Sequence, residues 1–281
     1  MQQTFEKSIE IKGIGLHSGC DSTLQIEPAP ENYGIQFVRS DIVEKPIRAL
    51  YSNVIDVRNC TCIGSSPINI VSTIEHIMTV LYILGIDNAK ISVNNPEVPI
   101  LDGSGKIFLE KLEKVSIKKQ KAPRKYLKVK KEITFSDDKG GTITLLPADE
   151  LRICFDIEFP SKIVGHQNFD KKITKDVFAS EIAPCRTFCE KYQVDYLKSI
   201  GLIKGGSLEN AVVLDGENIL NPEGFRLKNE CVNHKVMDAI GDLYTSGYHI
   251  LTKVVANKSG HYHNNEILKK LFSSENNYEI L

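Results

Sequence analysis

Three observations predict an α+β fold made of two similar sheet-and-helix layered domains packed with a cleft between them. Short segments with period-two alternation recur in both parts of the 281-residue chain. Each group of such segments gives way to helical, 3.6-period patterning, and a lysine-rich connector separates the two groups. The length exceeds that of most single domains, so each part is long enough to bury its own core. The connector Lys114–Arg124 (KVSIKKQKAPR) combines basic residues with proline and few large apolar side chains, as a solvated linker does. It divides the chain into residues 1–122 and 123–281.

Before the connector, Leu24-Gln-Ile26 and Gly34-Ile-Gln-Phe-Val38 alternate as half-buried strands, and Lys90–Val93 reads as a further strand. Gly13-Ile-Gly15 and Gly19 have GxGxxxG spacing without a βαβ context, so they predict a hairpin turn and not a dinucleotide site. Between these strands a helix is expected over 72–84. Ser72-Thr-Ile-Glu75 matches a capping box and Gly85 supplies the stop. After the connector, Leu127-Lys-Val129, Thr142–Leu145 and Arg152–Phe159 alternate, and helices are expected near 188–200, 226–246 and 261–272.

Composition excludes several classes. Hydrophobic residues make up 41% and charged residues 25%, the balance of a globular chain and not of a disordered one. A net charge of -1 provides no overall field toward nucleic acid or an anionic membrane, and the basic connector lacks the interleaved aromatics that stack bases. The N-terminal MQQTFEKSIEIKG has no signal-peptide core, and the longest nearly apolar run, Ile77–Ile86, is about half of a helical membrane span. Seven irregularly spaced cysteines then point to free thiols in a reducing cytoplasm; Cys60-Thr-Cys62 and Cys185-x3-Cys189 lack the CxxC pairing of structural zinc sites. No Walker A lysine and no GxSxG elbow is present.

The chemistry-bearing residues gather on two helices. Ile74, Ile77, Met78 and Leu81 form the apolar stripe of the first, and His76 lies roughly 200° from it. In the second, His234, Asp238 and Asp242 are spaced four and four and share one face, nearly opposite Val232, Val236, Ile240 and Leu243. A solvated surface gives the same pattern. Taken with His76, however, two histidines and an aspartate make a three-ligand zinc set with an open fourth position, the arrangement of a catalytic site. Glu75 and His261, the latter in Ser259-Gly-His261, are then the candidates for proton transfer.

At these residues the chain resembles the UDP-3-O-acyl-N-acetylglucosamine deacetylases, zinc amidases of lipid A biosynthesis in Gram-negative bacteria. The segments that carry the resemblance span nearly the whole length. They are Gly13–Gly19, Ser72–His76, Pro99–Ser104, Arg186-Thr-Phe188, Lys204-Gly-Gly-Ser207, His234–Asp242 and Lys258–His261. The resemblance implies that His76, His234 and Asp238 bind one catalytic Zn2+ per chain, with Fe2+ as an alternative, and that Glu75 is the general base. It implies His261 as general acid oriented by Asp242, and Lys235 and Thr187 as oxyanion stabilisers. Phe188, Lys204, Gly206, Ser207 and Lys258 would line the substrate region, with His17 and Cys60 nearby.

The implied reaction is hydrolysis of the 2-acetamido group of UDP-3-O-acyl-N-acetylglucosamine, an early committed step of lipid A biosynthesis, by a cytoplasmic monomer with no membrane span. The family fold carries an insert in its second domain that shapes the acyl-chain passage, expected here at 160–172. Departures from the family pattern occur at Asn233, Glu190 and Gln193. The alternatives are a zinc amidase acting on another acylated sugar and a non-catalytic zinc-containing binding protein.

Overall fold

Alternating burial is the direct result of alternating polarity. Leu24 and Ile26 are buried while Gln25 faces water, and Ile153, Phe155 and Ile157 are buried on one side of a second strand. The computed structural model describes all 281 residues and assembles such strands into an α+β molecule. A five-stranded sheet has the order Ile9–Ile14, Asp21–Pro28, Ala89–Val93, Ile35–Arg39, Ile47–Arg48; only the contact between Ala89–Val93 and Ile35–Arg39 is parallel. A seven-stranded sheet is organised around His249–Asn257. This strand pairs in parallel with Tyr126–Val129 and Arg152–Glu158 and antiparallel with Thr142–Pro147. No strand is shared between the two sheets, and no helix is long and apolar enough to cross a membrane.

Six helices accompany the sheets: α1 (Glu75–Leu84), α2 (Lys106–Leu112), the single turn α3 (Lys175–Val177), α4 (Lys191–Ser199), α5 (Glu230–Tyr244) and α6 (His261–Phe272). α1 packs along α5, and a single apolar core runs from Phe37 and Ile91 of the first sheet through Met78 and Val236 to Phe155 and Val254 of the second. The crossing is close because residue 241 is glycine. A methyl group there would collide with the Glu75 carbonyl and the Thr79 hydroxyl. Thr79 donates to the Met237 carbonyl at 2.6 Å, and Tyr244 of α5 donates to the Ile86 carbonyl at 2.6 Å just beyond α1.

Several expectations need correction. α1 begins at Glu75 and has no capping box. Thr73 adopts a left-handed φ of 59°, which breaks helical continuity, and the Ser72 hydroxyl donates to the Pro96 carbonyl at 3.0 Å. Gly85 does stop the helix, with φ 69° and its N–H on the carbonyls of Leu81 and Tyr82.

The helix expected from 188 starts at Lys191, because Phe188–Glu190 pairs in parallel with Val212–Leu214. Glu190 and Gln193 form the capping box of α4, which gives a local function to two departures from the family pattern. The helix expected from 226 starts at Glu230. The connector is tied down rather than freely solvated: Ile117–Lys119 pairs with Gln3–Phe5, and Arg124 holds Asp87 at 2.8 Å. Of residues 160–172, the span His166–Lys172 is an edge strand of the seven-stranded sheet, whereas 188–219 folds as a separate three-stranded sheet with α4.

Candidate metal centre and proton-handling groups

His76, in the first turn of α1, and His234 and Asp238, one turn apart on α5, converge because the two helices pack side by side. Their ligand-capable atoms lie within 4.8 Å of one another, and all three residues are buried. Asp238 Oδ1 is 3.6 Å from His76 Nε2 and 3.4 Å from His234 Nε2, and it accepts no hydrogen bond. A buried carboxylate oxygen without a donor is costly unless a cation completes it. Bonds of about 2.0–2.2 Å to one tetrahedral ion put neighbouring ligand atoms about 3.3–3.5 Å apart, close to the spacing seen here. The donor set therefore fits a metal ion.

The electrostatics agree with that use. Burial lowers His234 to about 4, so its imidazole is neutral, and its Nδ1–H donates to the Cys185 carbonyl at 3.1 Å, which turns the Nε2 lone pair inward. Burial opposes the charge on Asp238, but the neighbouring imidazoles of His234 and His76 hold its carboxyl well below the usual range.

Two proton-handling groups flank this set. Glu75 is almost fully buried, which pushes its carboxyl up to about 7, and its Oε2 accepts the Thr61 N–H at 3.0 Å. His261 is the first residue of α6. Burial works against its cation, yet the Asp242 carboxylate outweighs burial and holds the ring up to about 9. Its Nδ1–H donates to Asp242 Oδ2 at 2.8 Å; the same oxygen accepts from Asn264 at 2.9 Å, and Oδ1 accepts the Thr61 hydroxyl at 2.6 Å. A carboxyl near neutrality and a protonated imidazole are suited to base and acid duty respectively.

The remaining candidates divide into those held near this set and those facing away from it. The Lys235 ammonium is 3.7 Å from Asp238 Oδ2. Thr187 is fixed by backbone hydrogen bonds to Gly103 and Val212, two residues after the Cys185 carbonyl that holds His234. The Phe188 ring meets His234 edge to face at 6.5 Å. Cys60 is buried beside Glu75, and burial raises its thiol pKa, which suits a packing role. His17 has both ring nitrogens buried without partners, and burial lowers its pKa. The Lys204 N–H docks on the His17 carbonyl at 3.2 Å, and Gly206 follows in the same turn. Ser207 faces solvent, where its hydroxyl accepts the Glu209 N–H, and Lys258 is exposed and paired with Glu158 at 2.8 Å. Neither contacts the ligand set.

The family model of UDP-3-O-acyl N-acetylglycosamine deacetylase matches residues 2–273. The chain belongs to that deacetylase family. It is 40% identical over 281 residues to the UDP-3-O-acyl-N-acetylglucosamine deacetylase of Aliarcobacter butzleri, covering 100% of this chain and 92% of the relative. It is 42% identical to the protein of the same name from Nitratiruptor sp., covering 100% and 93%. The corresponding protein of Myxococcus xanthus is 39% identical, with 100% and 89% covered.

For a member of this deacetylase family, the structure adds residues that sequence reasoning missed. Thr61 and Asn264 complete the shell of Asp242, and the Cys185 carbonyl sets the tautomer of His234. Glu97 accepts from the N–H groups of His17 and Ser18 at 2.8 Å each and from the Thr73 hydroxyl at 3.2 Å, anchoring two loops at once. None of these has a spacing signal, because each contact is made across the fold. Arg186, within a noticed motif, proves fully buried and paired with Glu230 at 2.9 Å.

Proposed function

We propose that this enzyme removes the acetyl group from UDP-3-O-acyl-N-acetylglucosamine with one zinc ion held by His76, His234 and Asp238. The reading is carried by one observation: an unpaired buried Asp238 oxygen faces two imidazole nitrogens, with Glu75 and His261 beside them. When bound, zinc supplies Lewis acidity, polarising the amide carbonyl and acidifying water.

Glu75 takes the proton of the attacking water as its oxygen bonds to the amide carbon. The Lys235 ammonium and the Thr187 hydroxyl offset the negative charge that develops on the former carbonyl oxygen. His261, aligned by Asp242, protonates the departing nitrogen, because an amide anion is too basic to leave. The C–N bond then breaks to give acetate and a free amine. Phe188, Lys204, Gly206, Ser207, Lys258, His17 and Cys60 form the surrounding substrate region, and the 188–219 sheet with α4 is the element that shapes an acyl passage.

The same reading makes the chain a cytoplasmic monomer of lipid A biosynthesis with a domain boundary near residue 122. The absence of any strand shared between the two sheets supports that boundary. Deacetylation should be lost on chelation and restored by zinc, with ferrous ion as the parallel arm. Activity unchanged in protein confirmed to be free of metal would remove the assignment. Alanine at His76, His234 or Asp238 should cut bound metal sharply in elemental analysis.

A further inference from the structure

Thr61 is anchored at three points, two of them at the start of α1 and the third on α5. Its N–H donates to Glu75 Oε2 at 3.0 Å, its carbonyl accepts the Ile74 N–H at 3.4 Å, and its hydroxyl donates to Asp242 Oδ1 at 2.6 Å. The first two contacts tie it to the start of α1, and the third ties it to α5, where Asp242 holds His261. The hydroxyl also lies 3.4 Å from His261 Nδ1. The residue is buried and immediately precedes the strand Cys62–Gly64, so its own position is set by backbone pairing.

The Thr79 hydroxyl also spans the two helices, but both of its acceptors, the Glu75 and Met237 carbonyls, are backbone groups that take no part in proton transfer. The Thr61 hydroxyl crosses the seam between the helices to reach a carboxylate. The N–H contact occupies one Glu75 oxygen and leaves Oε1 as the oxygen to receive a proton. The hydroxyl contact occupies one Asp242 oxygen and leaves Oδ2 for His261 and Asn264. Base and acid are thus referred to one rigid residue.

The geometry points to Thr61 as a positioning residue that fixes the base Glu75 and the Asp242–His261 acid relative to each other. This rests on the roles given to Glu75 and His261 under the proposed function. Thr61 touches neither the metal ligands nor the substrate region by any hydrogen bond, so its effect is on the alignment of proton transfer and not on binding.

Thr61→Val keeps the shape and removes the hydroxyl. Asp242 retains the donors His261 and Asn264, so the variant is expected to fold. Its kcat on UDP-3-O-acyl-N-acetylglucosamine should fall about tenfold or more, the usual effect of losing a partner that orients a site group, while KM stays within about twofold. Metal content should match the parent, the melting temperature should fall by only a few degrees because Asp242 Oδ1 loses its donor, and Thr61→Ser should recover kcat to within about threefold because the hydroxyl returns. A Thr61→Val kcat within about twofold of the parent overturns the proposal. So does a Thr61→Ser variant as impaired as Thr61→Val, which would make the methyl group and its packing the important part. Glu75→Gln in the same assay separates the two levels. If it too is unimpaired, the proton-transfer roles themselves fail; if it collapses while Thr61→Val does not, only the Thr61 role fails.

Discussion

Glu75→Gln isolates a single proton. Glutamine keeps the length and the carbonyl oxygen that accepts the Thr61 N–H, and the absence of a capping box means no helix cap is lost. Folding and metal content should therefore be preserved while kcat falls by roughly 10²–10⁴-fold, the usual contribution of a positioned acid or base. A variant that kept more than about a tenth of the parental kcat would remove the base role from Glu75. At this scale the sequence was informative where helical periodicity turns spacing into a shared face, as for His234, Asp238 and Asp242. It was silent on Thr61, Asn264 and Glu97, whose meaning arises only from partners far away in the chain. Cys60-Thr-Cys62 attracts notice for its thiols, yet the residue between them makes the contacts to Glu75 and Asp242.

α1 and α5 must approach closely for their ligands to converge, and Gly241 is the residue that permits it. Glycine inside a helix costs about 1 kcal/mol relative to alanine, so Gly241→Ala would stabilise an isolated α5. In this fold the added methyl meets the Glu75 carbonyl and the Thr79 hydroxyl, and the overpacking is expected to cost about 1–3 kcal/mol instead. Because the displaced backbone carries Glu75 and His76, metal affinity should weaken along with the melting temperature. A variant as stable and as metal-replete as the parent would show that the crossing can relax. Element positions were legible to a similar degree: α6 was located at both ends from pattern alone. The start of α1 was misread because Ser72-x-x-Glu75 fits a local motif that the left-handed Thr73 prevents.

For the whole molecule, the α+β class was readable from alternation that gives way to helical periodicity, but the order of strands was not, since pairing partners lie far apart in sequence. The C-terminal half also carries an acid sensitivity. His249 is buried among Tyr82, Tyr126 and Tyr244, with Asp87 at 3.8 Å; burial first, then the Arg124 cation, lowers it from 6.5 to about 3. The unfolded chain therefore takes up a proton before the folded one does. This contribution is complete above about pH 6.5 and is lost as pH falls toward 3. Urea midpoints at pH 7 and pH 5 should show a drop in the parent that is smaller by about 1–2 kcal/mol in His249→Gln. An equal drop in both proteins would assign the sensitivity elsewhere.

The strand His249–Asn257, which joins three others in the second sheet, also governs the order of events during synthesis. The first sheet has all its strands by Val93 and can close while the ribosome is still extending the chain. The second sheet must wait for a strand more than a hundred residues after its earliest partner, a pairing that is slow by its nature. His76 is then made early and stands without His234 and Asp238 through most of translation, so the three-residue cluster itself is complete only among the last steps of biogenesis.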